Sequence, residues 1–224
     1  MKKVALLLIT LLALTSCKMD LKGWGPNLLE ASDNIVTKEY KLTPFEEVKM
    51  SSVGYVELIQ SETKNGIIEL TAPDNYIKFY NFESDGKQLN ISFTKEAFNI
   101  HTKDVKIRVY TTDLIKLENS GAASINMDSL DTDVLTIKNS GVGSIKISGV
   151  ADDVELTNSG VGSIDTGSLK AQNVKANVSG VGSIDCYASE SLEGKVTGVG
   201  ALNYAGHPKH KDTIRRGVGS INEI

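Results

Sequence analysis

The second half of the chain repeats one glycine-rich phrase at a nearly constant interval. The phrase reads SGVGSI in three of its six copies, and the other three copies differ from it at one to three positions. Such a period predicts a solenoid, in which each repeat forms one coil of a continuous wall. The spacings are 20, 19, 20, 18 and 19 residues, counted between the first glycines of the copies: Gly121, Gly141, Gly160, Gly180, Gly198 and Gly217.

Aliphatic residues recur in phase with these glycines. A large aliphatic side chain stands four residues after each glycine, as Ile145 follows Gly141, and further aliphatics two residues apart precede it. Alternation with a period of two is typical of strands that bury one face. Because one coil of about 19 residues buries too little surface to be stable alone, the coils are expected to stack so that these aliphatics form interior ladders.

The glycines are expected at a corner that returns in every coil. At such a corner the backbone needs either a positive φ or close contact with the corner of the next coil, and a Cβ would prevent both. Asn119, Asn139 and Asn158 stand two residues before three successive glycines. Their amides are therefore predicted to form a hydrogen-bonded ladder.

The segment before the repeats also has the pattern of strands. Short alternating runs are separated by turn residues, and the Asp-Gly pair within residues 84–87 predicts a tight hairpin. The stretch around Gly54 and Val56 resembles a degenerate copy of the phrase and is interpreted as an opening rung. The sequence thus predicts an all-β, single-stranded parallel β-helix with rungs of about 19 residues, opened by N-terminal strands and a hairpin.

The N-terminus has the features of a secretory signal. Lys2 and Lys3 precede an apolar run that ends in Leu-Thr-Ser-Cys, which resembles a bacterial lipoprotein cleavage site. We expect residues 1–16 to be a signal peptide, residues 17–37 a tether lipidated at Cys17, and residues 38–224 the β-helix domain. An ordinary secretory signal with a chance cysteine is the alternative. The expected location is the cell envelope, on the outer membrane, with the membrane face left open.

Charge and cysteine content exclude several kinds of partner. The predicted signal peptide contains two of the 24 basic residues and none of the 28 acidic ones, so 22 basic residues remain and the mature net charge is −6. An acidic chain without a basic cluster argues against nucleic acid as a ligand.

Lipidation of Cys17 leaves Cys186 without a partner, and a buried hydrophobic role is favoured for it over a reactive thiol.

Motifs for catalysis or cofactor binding are weak. The glycines lead into strands and lack the phosphate-loop pattern. Asp165 and Asp185 suggest a calcium β-roll, but Lys146 at the matching position of another copy would repel the ion. His207, His210 and Asp212 are more typical of an exposed loop than of a metal site. We therefore expect no enzyme activity, no cofactor and no metal.

Three stretches together resemble the head GIN domain family, DUF2807, whose members are named autotransporter adhesins. They are the opening FEEVKMSSVGYVELIQ, the serial SGVGSI phrases and the closing YAGHPKHKDTIRRGVGSI, and the resemblance covers roughly residues 38–224. It implies a right-handed β-helix-like fold on the cell envelope. The adhesin name raises the expectation of a binding role without establishing it.

Three functions follow as hypotheses. The favoured one is a lipid-anchored, non-enzymatic envelope protein that binds a glycan or a protein through its solenoid surface. A periplasmic regulatory or envelope-stress partner of another membrane protein is the alternative, and a carbohydrate-active enzyme is the third. At the C-terminal end we expect either that the segment HPKHKDTIRR folds over the last coil or that two chains form a weak dimer there.

Overall fold

A computed structural model describes residues 30–94 and 104–224 of the protein. The predicted signal peptide, Cys17, the tether up to residue 29 and His101 lie outside these described residues. Within the two described ranges, no helix is long and apolar enough to span a membrane.

The repeat region is a stack of parallel strands. Four long strands each run through a bend, and three shorter strands complete the C-terminal coils. In chain order these are β9 (Ala122–Asn139), β10 (Val142–Asn158), β11 (Val161–Val178), β12 (Val181–Val196), β13 (Val199–Ala205), β14 (His210–Arg215) and β15 (Val218–Glu223). The first half of β12 pairs with β13 and its second half with β14, so that β13 and β14 together form one rung.

The repeated phrase stacks on itself in register. Gly143 pairs with Gly162, and Ile145 pairs with Ile164, in the parallel ladder between β10 and β11. The same register continues in the ladders on either side. The prediction of an all-β parallel solenoid with rungs of about 19 residues is therefore confirmed.

The stacked aliphatics form the interior. One ladder of directly paired, buried side chains runs through six rungs of the stack. Its members are Val56, Ile125, Ile145, Ile164, Ile184 and Leu202. Because strands in neighbouring rungs lie about 4.8 Å apart, each side chain packs directly on the next and excludes water along the whole axis.

The asparagine ladder predicted from the sequence is present and buried. Asn119 Nδ2 donates to Asn139 Oδ1 at 2.9 Å, and Asn139 Nδ2 donates to Asn158 Oδ1 at 3.1 Å. Asn158 Nδ2 ends the ladder on the carbonyl oxygens of Gly162 and Ser183. Each amide is thus paired inside the corner, as buried polar groups require.

The opening rungs contain the strands that precede the repeats. They are β1 (Ile35–Lys41), β2 (Glu47–Ser51), β3 (Val53–Gln60), β4 (Ile67–Pro73), β5 (Tyr80–Ser84), β6 (Gln88–Phe93), β7 (Lys106–Thr111) and β8 (Lys116–Asn119). A short 3-10 helix, Asp74–Phe79, links β4 to β5. The predicted hairpin is β5 and β6, where Asp85 Oδ1 accepts hydrogen bonds from the backbone N–H groups of Lys87 and Gln88.

The order of the opening rungs in space differs from their order in the chain. β2 and β3 form a rung between β6 and β7 on one side and β8 and β9 on the other. Gly54 pairs with Ala123, so the degenerate phrase does stack on the first full copy. β1 and β4 pair antiparallel with each other, and β4 pairs antiparallel with β7 at this end of the stack.

The corner glycines separate into two kinds. At the first glycine of the phrase the constraint is contact, because a Cβ on Gly160 would run into the carbonyl oxygen of Gly141 one rung away. At the second glycine a positive φ adds to the contact, as at Gly162 with a φ of +133°. Both reasons given from the sequence thus apply, but at different positions of the phrase.

Replacement of a corner glycine should be costly. Gly160→Ala is expected to lower the free energy of unfolding by about 1 to 3 kcal/mol, because the added methyl group must displace stacked backbone. Gly167→Ala is the matched control, since its nearest neighbour is Asp165 Oδ1 at 3.5 Å, and it should change stability by less than about 0.5 kcal/mol. Urea denaturation measures both, and equal effects would contradict the corner assignment.

Candidate binding surface

The outward face of the first strand in each rung is a grid of three columns. Each copy of the phrase presents a valine or alanine, then a serine or alanine, then a polar or charged residue, because alternate side chains point outward. In the third column Lys146 Nζ lies 3.6 Å from Asp165 Oδ2, and Asn203 Nδ2 donates to Asp185 Oδ1 at 2.6 Å. Neighbouring rungs therefore satisfy the polar groups of this column.

The first column is a row of exposed valines, which we call the valine ridge. Glycine on both sides of each valine provides no side chain to cover it, so between 51% and 79% of each residue is exposed. The ridge consists of Val142, Val161, Val181, Val199 and Val218. A continuous row of exposed apolar side chains is uncommon on a soluble domain and is typical of an interaction surface.

A groove lies on each side of the valine ridge. The first, which we call the Ser-Gly groove, is about 900 Å³, is lined by the Ser-Gly pairs that precede the valines, and has Phe93 in its lining. The second is about 1020 Å³ and is lined by the Gly-Ser pairs that follow the valines. Neither lining contains an ionisable residue, although 23% of the residues in the chain are charged.

A second concave surface, the polar cleft, lies on the strand segments that precede the glycines. It has a volume of about 740 Å³ and crosses five rungs, from Thr136 in β9 to Asp212 in β14. Within it, Asn173 Nδ2 donates to Asp153 Oδ1 at 2.9 Å, and Ser191 Oγ donates to Asn173 Oδ1 at 2.7 Å. Carboxylate, amide and hydroxyl groups thus follow one another at the rung spacing.

The charged residues of the cleft are also partly paired. Lys175 Nζ lies 3.5 Å from Glu193 Oε1, and Glu155 stands opposite Lys175 in the next rung without an ion pair of its own among the described residues. These exposed groups keep free donor and acceptor capacity toward solvent. The cleft can therefore offer hydrogen bonds to a polar ligand that runs along the solenoid axis.

The C-terminal end of the stack has polar residues in its interior columns. β14 pairs in register with β12, so HKDTIR continues the solenoid as a strand and does not fold across its end. Lys211, Thr213 and Arg215 occupy columns that aliphatic or small residues fill in earlier rungs. Inward charges of this kind oppose the addition of another strand.

A hydrogen-bonded cluster covers this end. Lys211 Nζ donates to Tyr204 Oη at 2.8 Å and to Glu223 Oε2 at 3.3 Å, and His207 Nδ1 lies 2.8 Å from Glu223 Oε1. The hydrogen bond to His207, followed by those to Tyr204 and Lys211, lowers the pKa of Glu223 to about 2. Glu223 is therefore ionised at all but the most acidic pH.

The other residues singled out from the sequence lie in separate places. His207 is hydrogen-bonded to Glu223. The described residues contain no group of three or more His, Cys, Asp or Glu side chains that could hold a metal ion. Cys186 is 1% exposed, and burial, with a smaller contribution from Asp185, raises the pKa of its thiol to about 12. Such a thiol is not ionised at neutral pH.

Comparison with known proteins identifies the family. A family model described as "Putative auto-transporter adhesin, head GIN domain" (DUF2807) matches residues 44–208, which is most of the chain. The chain belongs to the head GIN domain family. No curated protein matches it.

Two solved structures share the fold of this head GIN domain. A crystal structure of a "putative adhesin" from Bacteroides fragilis is 28% identical to the chain with a TM-score of 0.75, and the match covers 88% of this chain and 100% of that one. A "putative adhesin" from Parabacteroides merdae is 19% identical with a TM-score of 0.55, covering 88% and 98%.

A third structure shares the fold at lower similarity. A "putative lipid binding protein" from Parabacteroides distasonis is 20% identical with a TM-score of 0.51, and the match covers 88% of this chain and 99% of that one. At that identity the likeness concerns the fold alone. The names of the head GIN family and of the Bacteroides neighbour are consistent with a non-enzymatic adhesion role at the cell envelope.

The valine ridge and the polar cleft of this head GIN domain were not among the features predicted from the sequence. A signal for the ridge was present, because the valine lies between two glycines in five copies. It also stands three residues from the buried aliphatic, hence on the opposite face of the strand. The cleft had no such signal, since its polar residues differ from rung to rung.

The end cluster generates a pH prediction. Because the folded pKa of Glu223 lies below its ordinary value of 4.5, the cluster contributes stability above pH 4.5, and this contribution is lost as the pH falls toward 2. His207→Ala should raise the pKa of Glu223 toward 4.5, measured by carboxyl-carbon NMR titration. His210→Ala is the control and should leave it unchanged, so a similar shift in both variants would contradict the assigned partner.

Proposed function

We propose that the protein is a lipid-anchored cell-envelope adhesion protein that binds an extended glycan in the polar cleft without turning it over. The observation that carries the proposal is the cleft itself, whose hydrogen-bonding groups recur at the rung spacing over five rungs. Four intervals of about 4.8 Å give a length of about 19 Å, which suits an oligosaccharide in an extended conformation. A glycan needs many moderate hydrogen bonds along its length, and a stacked wall provides them.

Rigidity of the cleft supports binding over catalysis. Asp153, Asn173 and Ser191 hold one another in place through direct hydrogen bonds, so their positions are fixed before a ligand arrives. The floor consists of buried aliphatics such as Val154 and Val174. A glycosidase needs two carboxyl groups that are free to act on the bond it cleaves, whereas in this cleft Asp153 is hydrogen-bonded to Asn173 and Glu193 is paired with Lys175.

The anchor is proposed at Cys17, after removal of residues 1–16. Lipidation at this cysteine would hold the domain on the outer membrane, since several acyl chains bind a bilayer far more firmly than one chain does. In the protein with Cys17→Ser, the mature chain should leave the membrane fraction for the soluble fraction. If it stays in the membrane fraction, the anchor is elsewhere.

The membrane face on which the domain lies distinguishes an adhesion protein from a periplasmic partner of another membrane protein. Proteinase added to intact cells should digest the protein if the domain faces outward, and should spare it if the domain is a periplasmic partner of another membrane protein. A periplasmic marker protein that remains intact shows that the outer membrane was not breached. Protection of both proteins would contradict a surface adhesin.

The glycan proposal predicts a selective loss of binding. The mature chain, probed on a glycan array, should lose about tenfold or more in affinity in the double variant Glu155→Ala/Lys175→Ala, because two hydrogen-bonding groups are removed. Lys146→Ala/Asp165→Ala is the matched control, since it also removes one acid and one base from neighbouring rungs, but outside the cleft. Equal binding by both variants would exclude the cleft, and release of free sugar would indicate an enzyme.

A further inference from the structure

The polar cleft continues beyond the five rungs that define it. Val134 and Thr136 line both the cleft and an adjoining cavity of about 440 Å³, which lies toward the opening rungs and includes Asp113 and Asp133 in its lining. We call the two concave surfaces together the extended cleft.

One column of directly paired residues runs the whole length of the extended cleft. Each member stands opposite the next in the parallel ladders that lead from β2 to β14. The members are Glu47, Lys116, Thr136, Glu155, Lys175, Glu193 and Asp212. Six intervals of about 4.8 Å give the column a length of about 29 Å. A linear ligand can therefore follow it from end to end.

Every lysine in the two linings already has a carboxylate partner. The pairs, with the distance from Nζ to the carboxylate oxygen, are Lys116–Glu118 at 2.9 Å, Lys175–Glu193 at 3.5 Å, Lys209–Glu190 at 2.8 Å and Lys211–Glu223 at 3.3 Å. The other basic side chain in the linings is His210, which lies two residues from Asp212 on the same face of β14. The linings thus contain no unpaired lysine that an anionic ligand would need.

Carboxylates, in contrast, are left over along the whole extended cleft. Two of them are held by hydrogen bonds that leave their charge in place, since Asp153 accepts from Asn173 Nδ2 at 2.9 Å and Asp113 accepts from the backbone N–H of Leu114 at 2.7 Å. The described part of the chain has no cluster of acidic and histidine side chains that could hold a metal ion, so the charges are spread along the cleft. Within that part of the chain, the carboxylates of the extended cleft without an ion pair are Asp113, Asp133, Asp153, Glu155 and Asp212.

We propose that the ligand of the extended cleft is a linear glycan with free, protonated amino groups, as in unacetylated glucosamine units. This inference rests on the proposed glycan-binding function and names the class of glycan. A protonated amine donates charge-assisted hydrogen bonds to a carboxylate, and such bonds are about twice as strong as neutral ones. An anionic glycan would meet negative charge that no lysine of the linings compensates.

The hydroxyl groups of the same sugar units have partners beside the charged column. Asp153, Asn173 and Ser191 form a second, hydrogen-bonded line, and each stands two residues before a member of the column on the same strand. Amide and hydroxyl groups of this line match the donors and acceptors of a sugar. The side chains of a lysine-rich peptide would use only the carboxylates, whereas an amino-bearing glycan uses both lines.

Two oligosaccharides that differ only in N-acetylation test the proposal. The mature chain is titrated by calorimetry in mildly acidic buffer with a glucosamine oligosaccharide, whose amines are protonated, and with its N-acetylated counterpart of the same length and linkage. The glucosamine oligosaccharide should bind about tenfold or more tightly than its counterpart. Its affinity should fall as salt is added, because salt screens exposed charges.

A charge-removing variant locates the interaction in the extended cleft. Asp133→Asn/Glu155→Gln removes two exposed, unpaired charges with little change of shape, and should weaken binding of the glucosamine oligosaccharide about tenfold. Asp33→Asn/Glu83→Gln is the matched control, since it also removes one exposed aspartate and one exposed glutamate that have no ion pair among the described residues, but outside the cleft. The control should bind as the unchanged chain does, and an equal loss in both variants would refute the site.

The other outcomes separate this inference from the glycan site itself. Equal binding of the two oligosaccharides, still weakened by Glu155→Ala/Lys175→Ala, would overturn the selectivity for amines and leave the glycan site intact. Preference for an acidic oligosaccharide would overturn it in the same way. Tighter binding of a lysine-rich peptide, or binding that requires calcium, would refute an amino-bearing glycan as the ligand. Absence of binding to any glycan would refute both proposals.

Discussion

In-register stacking of one rung on the next is the constraint on which the rest of the structure depends. The backbone N–H of Val142 donates to Gly121 O, that of Val161 to Gly141 O, and that of Val181 to Gly160 O, each at 2.9 Å. These contacts bring the corners so close that only glycine fits. The same register aligns the isoleucines inside and the asparagines in the corner, so one spacing explains the core, the corner and the outer grid.

Sequence periodicity was sufficient to predict the fold of the repeats, but it did not predict the structure of either end of the stack. The rung length, the interior ladder, the asparagine ladder and the opening copy at Gly54 all follow from residues that recur in phase. The placement of β6 and β7 outside β2 and β3 depends on long-range pairing with no repeated pattern. The sequence did not predict that Lys211 and Arg215 end the stack. Polar residues at interior positions interrupt the aliphatic alternation, so in a sequence they resemble the end of the repeats.

The two candidate binding surfaces also differ in whether the repeated phrase predicts them. The valine ridge is a direct product of the phrase, because glycine is required at the corner and the residue between two glycines remains uncovered. The polar cleft arises from residues that vary between rungs, and only the structure brings Asp153, Asn173 and Ser191 into one line. In this head GIN domain, the repeated phrase therefore determines one wall, while the polar side chains of another wall vary from rung to rung.

Removal of one complete rung tests the stacking account most directly. Deletion of residues 161–180 joins Gly160 to Val181 and restores the repeated phrase across the junction. The account predicts that this shorter chain keeps its strand signal in circular dichroism and unfolds cooperatively, whereas deletion of residues 161–170, half a rung, prevents folding. If both deletions unfold the chain, or if both leave it equally stable, the rungs are not the interchangeable units described above.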